Sequence, residues 1–181
     1  ASVVHSVGGW VALSVLLIVG PRTGRFREGD GLGKKTFQGS NTPMAALGAL
    51  ILWFGWFGFN GGANLAMDLR IPLILINTFM AASSGLISSS IMGIIVLRKP
   101  EPMFMITGPI AGLVGITASC AFVSPANAII IGAVAGILSG SFLIILEKLK
   151  IDDVVNAIPV HLICGIWGTL AIAIFGDMEK M

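Results

Sequence analysis

The sequence predicts an all-α protein, a polytopic bundle of about six transmembrane helices. Of its 181 residues, 55% are hydrophobic and 11% are charged, whereas a soluble domain carries roughly 25% charged residues. Apolar segments close to the length of about 20 residues that a helix needs to cross a bilayer recur along the chain. Most of the 24 glycines fall inside those segments, where small residues let membrane helices pack closely.

The predicted spans follow one another from end to end of the chain. They are residues 3–20, 43–59, 71–97, 103–118, 126–146 and 154–175. The fourth is the weakest prediction, because it is short and contains Pro109. Gly132, Gly136 and Gly140 form a row at i, i+4 spacing in the fifth span, so we expect another helix to approach it along that row.

Lysine and arginine residues are divided unequally between the two sides of this bundle. Nine of the eleven lie in three loops on one side, namely Arg22, Arg25, Arg27, Lys34, Lys35, Arg98, Lys99, Lys148 and Lys150. Basic loops of membrane proteins face the cytoplasm. We therefore expect a cell-membrane protein whose two ends, Ala1 and Met181, are extracytoplasmic. The formal net charge of +2 is too small to favour a nucleic-acid partner.

The first of these loops, residues 21–42, has two interpretations. Its glycines and mixed charges are typical of a solvated connector that enforces the topology. The alternative is a docking surface for a cytoplasmic regulator or for anionic membrane lipid.

The only two histidines of the chain lie inside predicted spans. His5 is followed four residues later by Gly9, and His161 is followed four residues later by Gly165. Residues four apart share one face of a helix, so each histidine stands on the face that other helices can approach. The two histidine spans are five crossings apart and therefore antiparallel. Similar motifs on antiparallel helices indicate an inverted repeat, which can bring the two rings together near the bilayer centre.

Two buried imidazoles have a restricted chemistry. A charge at the centre of a span costs about 2.5–3.5 kcal/mol on insertion scales, so both rings are expected to be neutral. Each neutral ring has one N–H donor and one bare nitrogen, which suits a small guest that donates and accepts hydrogen bonds, or a proton in transit. Packing alone is one alternative. Metal binding is the other, but two histidines need further ligands, and Asp152 and Asp153 lie at the start of their span. We predict no metal and no cofactor.

The end of the second span, WFGWFGFNGG, concentrates aromatic residues toward the outer surface. An interfacial aromatic belt is one interpretation. A vestibule that attracts cations through ring faces is the other. In the second case Trp56 and Phe59 are candidate substrate contacts.

Three polar residues are predicted to have structural roles. Asp153 precedes the last helix, where a carboxylate can cap free N–H groups and oppose the helix dipole. Asn77 lies within the third span and is expected to hydrogen-bond to another helix. Asn60 is placed in the same structural or capping class at the end of the second span.

Six motifs resemble the ammonium transporter family (Amt/MEP/Rh), and its Amt branch in particular. VVHSVGGWVAL, LWFGWFGFNGG, IAGLVGIT, CAFVSP, IDDVVNAIPVH and CGIWGTLA follow in this order along essentially the whole chain. The resemblance implies an inverted-repeat fold and a homotrimer with a pore in each protomer. It also implies that His5 and His161 are twin pore histidines, that Phe59 is one of two gate phenylalanines, and that Asp153 matches an acidic position of the family.

The resemblance is partial. The family usually has Ser where this chain has Ala63, so one hydroxyl that helps to hold ammonium is missing, and Pro109 and Leu162 stand where smaller or more flexible residues are usual. The match covers about the fifth to tenth of some eleven spans, so we expect a piece of a longer protein. Residues 1–20 are then the end of the first half-repeat, 21–42 a basic cytoplasmic loop, and 43–181 the second half-repeat.

Transport is the function that the resemblance implies: ammonium is recruited at an outer aromatic site, and ammonia passes along a hydrophobic pore lined by the two histidines. The alternative is an ammonium-sensing receptor on the same fold, which binds without conducting and signals to a cytoplasmic module. A gas channel of the Rh type is a weaker match. A PII-type regulator is a further implied partner. An enzyme is not expected, because the sequence shows no set of nucleophile, base and acid.

Overall fold

The computed structural model describes residues 1–26 and 39–177, and within them every regular element is helical. In order they are a first π turn Ser2–Ser6, α1 Val7–Val19, α2 Thr42–Gly62, α3 Ile71–Leu97, α4 Pro102–Ile116, α5 Pro125–Lys148, a second π turn Ile158–Ile163, and α6 Cys164–Phe175. Each π turn continues directly into the α-helix that follows it. The all-α prediction is confirmed.

Five of the six predicted spans are helices long and apolar enough to cross a membrane, and the fourth is not. The fourth, α4, has 15 residues, which is short of the about 20 that a span needs. Ten of those residues are buried. Most of α4 is therefore covered by other parts of the protein and does not face lipid.

The last span begins later than predicted. Residues 154–157 precede it instead of opening it, because Asn156 adopts a left-handed backbone conformation with φ of +57°, which a helix does not continue through. Asn tolerates this conformation better than most residues. Helical structure therefore starts at Ile158.

Close contacts between small residues hold α3, α4 and α5 together. A Cβ on Gly85 of α3 would lie 2.6 Å from the carbonyl oxygen of Gly108 in α4. A Cβ on Gly132 of α5 would meet Ala81 of α3, and one on Gly136 would meet Gly85. The predicted glycine row of the fifth span is therefore confirmed as a packing face, and its partner is α3.

The loops that carry most of the described cations meet at one end of the bundle. A cavity of about 780 Å³ is lined there by residues from segments 22–25, 39–45, 99–106 and 143–156. At the opposite end, the backbone N–H of Asp177 donates to the carbonyl of Phe122. The one-sided arrangement agrees with the predicted topology, while the identity of the cytoplasmic side stays a prediction. Residues 27–38 of the basic loop lie outside the described residues.

Candidate functional site

The two histidines meet inside the bundle. The Nδ1 atoms of His5 and His161 are 3.3 Å apart, and either ring can be the donor, depending on which tautomer it adopts. The ring centroids are 5.4 Å apart and the ring planes differ by 19°. Each histidine lies in one of the two π turns, and π-helical segments are frequent at functional sites.

Two glycines allow this approach, and they do so reciprocally. A Cβ on Gly9, four residues after His5, would lie 2.5 Å from Cβ of Leu162, the residue after His161. A Cβ on Gly165, four residues after His161, would lie 2.7 Å from Oγ of Ser6, the residue after His5. The two histidine segments therefore contact one another through equivalent positions, as two halves related by a pseudo-twofold axis would.

The same segments run in opposite directions. Ser2 Oγ lies 2.6 Å from Thr169 Oγ1, whereas Gly9 lies against Leu162. As the first segment advances along the chain, its contacts move backward along the last segment. This is the antiparallel arrangement that the number of crossings predicts.

Trp56 and Phe59 of α2 complete a cluster of rings around His5. The Trp56 ring stacks on His5 at 5.4 Å and 14°, and the Phe59 ring lies 6.0 Å from His5 at 56°. His5 is buried, with 7% of its surface exposed, while Phe59 is 45% exposed. The cluster therefore extends from a buried histidine to a ring on the open surface of α2.

Thr117 is a member of this site that the sequence analysis missed. Nε1 of Trp56 donates to Thr117 Oγ1 at 3.1 Å, and the hydroxyl itself donates to the carbonyl of Leu113 at 2.7 Å. The hydrogen bond fixes the orientation of the indole that stacks on His5. The one feature of the sequence that could have indicated Thr117 is its hydroxyl at the end of the otherwise apolar motif IAGLVGIT.

Asn60 and Ala63 lie at the end of α2 but have different surroundings. Asn60 is buried and donates from Nδ2 to Thr78 Oγ1 of α3 at 3.0 Å. It ties α2 to α3 and does not cap the helix, because α2 continues to Gly62. Ala63 is exposed, and its backbone N–H donates to the carbonyl of Phe59. The structure thus places Ala63 one turn beyond the ring cluster.

Asp153 and Asn77 bond to backbone groups. The Asp153 carboxylate accepts from the N–H of Ala157 at 3.0 Å and from that of Ile158 at 2.7 Å, at the start of the second π turn. Nδ2 of Asn77 donates to the carbonyls of Cys120 and Val123. Asn77 therefore holds the loop after α4, whereas we had expected it to hydrogen-bond to another helix.

An ion cluster joins the first loop to the segment before the second π turn. Nε of Arg22 donates to Asp152 Oδ2 at 2.6 Å, and Arg25 lies 2.6 Å from Glu147 and 3.3 Å from Asp152. The hydrogen bond from Arg22 lowers the pKa of the Asp152 carboxyl and raises that of the guanidinium. No local pattern in the sequence predicts this cluster, because its partners lie more than 120 residues apart.

Among the described residues, no group of three or more His, Cys, Asp or Glu side chains could hold a metal ion. The ring cluster does leave one buried atom without a hydrogen-bond partner, Nε2 of His5. A buried polar nitrogen is costly to leave unpaired. The site can therefore offer this nitrogen to a small guest.

Comparison with known proteins decides the family. The model of the Ammonium Transporter Family matches residues 1–181. The chain belongs to the ammonium transporter family. It is 44% identical over 180 residues to the ammonium transporter Amt2 of Archaeoglobus fulgidus, covering 98% of this chain and 38% of that protein. It is 45% identical to the putative ammonium transporter sll1017 of Synechocystis sp. over 95% of this chain and 40% of that protein.

Solved structures of the family agree with the fold. One named "Sensor Amt Protein" matches with a TM-score of 0.92 and 42% identity, over 99% of this chain and 44% of that chain. Mep2 of Saccharomyces cerevisiae matches with a TM-score of 0.87 and 30% identity, over 98% and 39% respectively. The chain thus spans about two fifths of the length of these relatives. Family membership and the five apolar helices also identify the chain as part of a multi-pass membrane protein, and these relatives are named transporters rather than enzymes.

Proposed function

We propose that this chain contributes to ammonium/ammonia transport across the membrane and that His5 and His161 line the path. The observation that carries the proposal is the Nδ1–Nδ1 distance of 3.3 Å between two histidines inside a helix bundle. The family of the chain supports the same substrate. Since the chain is about two fifths the length of its relatives, the proposal concerns its part in the full-length protein.

The ring cluster gives each residue a role in this proposal. Phe59, the exposed member, and Trp56 beside it recruit ammonium through their ring faces, because a cation is attracted to an aromatic face. An ammonium ion that entered an apolar lumen would lose its hydration at a cost of several kcal/mol. Ammonia avoids most of that cost, so the path favours the neutral form. The paired rings then offer it both a donor and an acceptor.

An ammonium sensor is the second candidate. Ala63, which replaces the usual hydroxyl, and the likeness to the structure named "Sensor Amt Protein" favour it. Leu162, which stands where a smaller or more flexible residue is usual, does not favour the sensor. Its side chain is buried in an apolar cluster with Leu146 and Ile158, against which Leu13 of α1 packs. The Leu162 side chain therefore contributes to the contact with α1.

Flux through reconstituted protein tests the proposal. The full-length protein is placed in liposomes as wild type, as His5→Leu/His161→Leu, and as Gly8→Ala. Gly8 is a control position, because an added Cβ would meet no atom of the described residues within 4 Å beyond its own stretch of helix. We expect ammonium-dependent current or alkalinisation in the wild type and the control, and its loss in the double variant. Unchanged flux in the double variant would refute the role of the pair. Saturable ammonium binding without flux in the wild type would establish the sensor instead.

The partners and topology are part of the proposal. We infer a homotrimer in membrane lipid, with both ends of this chain extracytoplasmic and a PII-type regulator or signalling module on the side of residues 21–42. The large apolar side chains left exposed on α1 and α2 support burial against lipid or further protein. Cysteine accessibility at Lys99 and at Asp68, on opposite ends of the bundle, tests the topology. Only Lys99→Cys should be protected from an impermeant reagent applied outside.

A further inference from the structure

The ion cluster of Arg22, Arg25, Glu147 and Asp152 is here named the clamp. Arg22 donates to Asp152 from its backbone N–H at 3.1 Å, from Nε at 2.6 Å and from Nη2 at 2.8 Å. Arg25 bridges Asp152 to Glu147 at the end of α5. The Asp152 and Arg25 side chains are only 3% and 8% exposed. The clamp is therefore a built, buried contact between distant parts of the chain.

Asp152, the last residue of the clamp, directly precedes Asp153, which is hydrogen-bonded to the segment that holds His161. Asp152 is held by the two arginines, and its neighbour Asp153 accepts hydrogen bonds from the N–H groups of Ala157 and Ile158. Ile158 is the first residue of the second π turn. Two adjacent carboxylates thus have different partners: one is bound to the first loop and the other to the histidine turn.

A buried carboxylate that loses its cationic partners is strongly destabilised, because its charge is then uncompensated. Without the arginines, Asp152 would move toward water. The backbone of Asp153 would move with it, and the hydrogen bonds to the second π turn would loosen. The lowered pKa of Asp152 is consistent with a carboxylate that stays charged and bound.

We propose that Arg22 and Arg25 are positioning residues for the histidine pair, acting through Asp152 and Asp153 on the second π turn. They touch neither the rings nor a substrate. Their effect is on the distance and angle at which His161 meets His5. The proposal rests on the proposed function only for its consequence on flux, since the position of the rings can be measured without transport.

The molecule contains a matched ion pair that lacks this connection. Arg70 donates from Nη2 to Asp68 at 2.8 Å, but the two residues are two positions apart in one exposed loop between α2 and α3. Loss of that pair removes an Arg–Asp contact without releasing a histidine segment. Arg70→Gln is therefore the control for Arg25→Gln and Arg22→Gln.

The test measures the rings and the flux in the same full-length samples. Through-hydrogen-bond coupling between the two Nδ1 atoms, recorded by nitrogen-15 NMR in lipid bilayers, reports the ring pair. We expect Arg25→Gln to abolish the coupling and to lower flux by about tenfold or more, since misplacement by about 1 Å can cost a hundredfold. Arg25→Lys, which keeps the charge but not the bridge, should give an intermediate result. Arg70→Gln should match the wild type.

A purely stabilising role gives a different result. Arg25→Gln and Arg22→Gln would then lower Tm but keep the ring coupling in the folded protein, and that outcome would overturn the proposal. If Arg25→Gln does not fold, Arg22→Gln decides, because the Arg22 side chain is 46% exposed and its loss leaves no buried cavity. If the wild type shows coupling but no flux, the proposed function fails while the clamp is still tested by the coupling.

Discussion

Helices α3, α4 and α5 differ from α1 and α2 in how far other helices cover them. Ten of 15 residues of α4 are buried, as are nine of 24 in α5 and eight of 27 in α3. In contrast, α2 buries three of its 21 residues and α1 buries one of 13. The buried residues of α1 and α2 are Gly9, Ala49, Trp56 and Asn60. Gly9 and Trp56 lie at the histidine cluster, and Asn60 lies against α3.

The difference shows that the scaffold and the site have separate physical bases. The α3–α5 scaffold is stabilised by backbone-to-backbone contact along rows of small residues. The segments that bring His5, Trp56 and Phe59 to the site are held by a few specific contacts. Damage to the scaffold should therefore abolish the fold, whereas damage to those contacts should displace the rings in a folded protein.

The largest effect is expected inside the scaffold. Gly112→Leu would force a side chain into Ala81 of α3, where even a Cβ has no room. Overpacking of this kind costs about 1–3 kcal/mol and occasionally more, and here it opposes backbone that cannot move aside. We expect loss of monodisperse protein by fluorescence-detected size exclusion. Gly58→Leu on α2, with no described atom within 4 Å of an added Cβ, should elute as the wild type does. If both variants lost monodisperse protein to the same extent, the distinction between scaffold and site would be wrong.

The next effect separates two neighbouring glycines of α1. A Cβ on Gly9 would lie 2.5 Å from the backbone nitrogen of Leu162, whereas a Cβ on Gly8 would meet no atom of another described segment within 4 Å. Gly9→Val should push α1 away from the second π turn and separate the rings, so flux should fall by about tenfold or more in protein that still folds. Gly8→Val should keep flux in the same liposome assay. Normal flux in Gly9→Val would show that the close approach is dispensable.

A smaller effect compares two buried amides. Asn77 donates to two backbone carbonyls in the loop after α4, and Asn60 donates to one hydroxyl on α3. Asn77→Leu leaves two acceptors unpaired and should cost about 1–3 kcal/mol of unfolding free energy for each unsatisfied group. Asn60→Leu should cost less, because Thr78 keeps its own bond to the carbonyl of Ile74. Thermal unfolding of both variants checks the order, which the reverse ranking would contradict.

The smallest effect concerns pH. The pKa of Asp152 is below its ordinary value of 3.8, chiefly through the hydrogen bond from Arg22. The stabilisation by the clamp is therefore fully present above pH 3.8 and is lost only as pH falls through the lower folded value. We expect Tm to be independent of Asp152 between pH 5 and 8, and the acid decline of Tm to be reduced in Asp152→Asn. A decline already present at pH 6 that this variant removes would contradict the assignment.

Much of the scaffold could be predicted from residue periodicity, and less of the site. Apolar length located five spans, and helix α3 has the predicted bounds. The i, i+4 glycines after His5 and His161 predicted a meeting face, because spacing along a helix is a local property. The sequence could not predict the partner of Asn60, the loop contact of Asn77 or the clamp, since each depends on which distant segments become neighbours. The π turns also left no signal, because one extra residue per turn does not alter composition.

The most direct test of the account is the tautomeric state of the two histidines in lipid bilayers. Nitrogen-15 NMR of the full-length protein at neutral pH distinguishes Nδ1–H from Nε2–H rings. If His5 and His161 share one hydrogen bond through their Nδ1 atoms, one ring must carry its proton on Nδ1 and the other on Nε2, with coupling between the two Nδ1 nuclei. Two uncoupled rings in the same tautomer would contradict the paired site on which the proposed transport path depends.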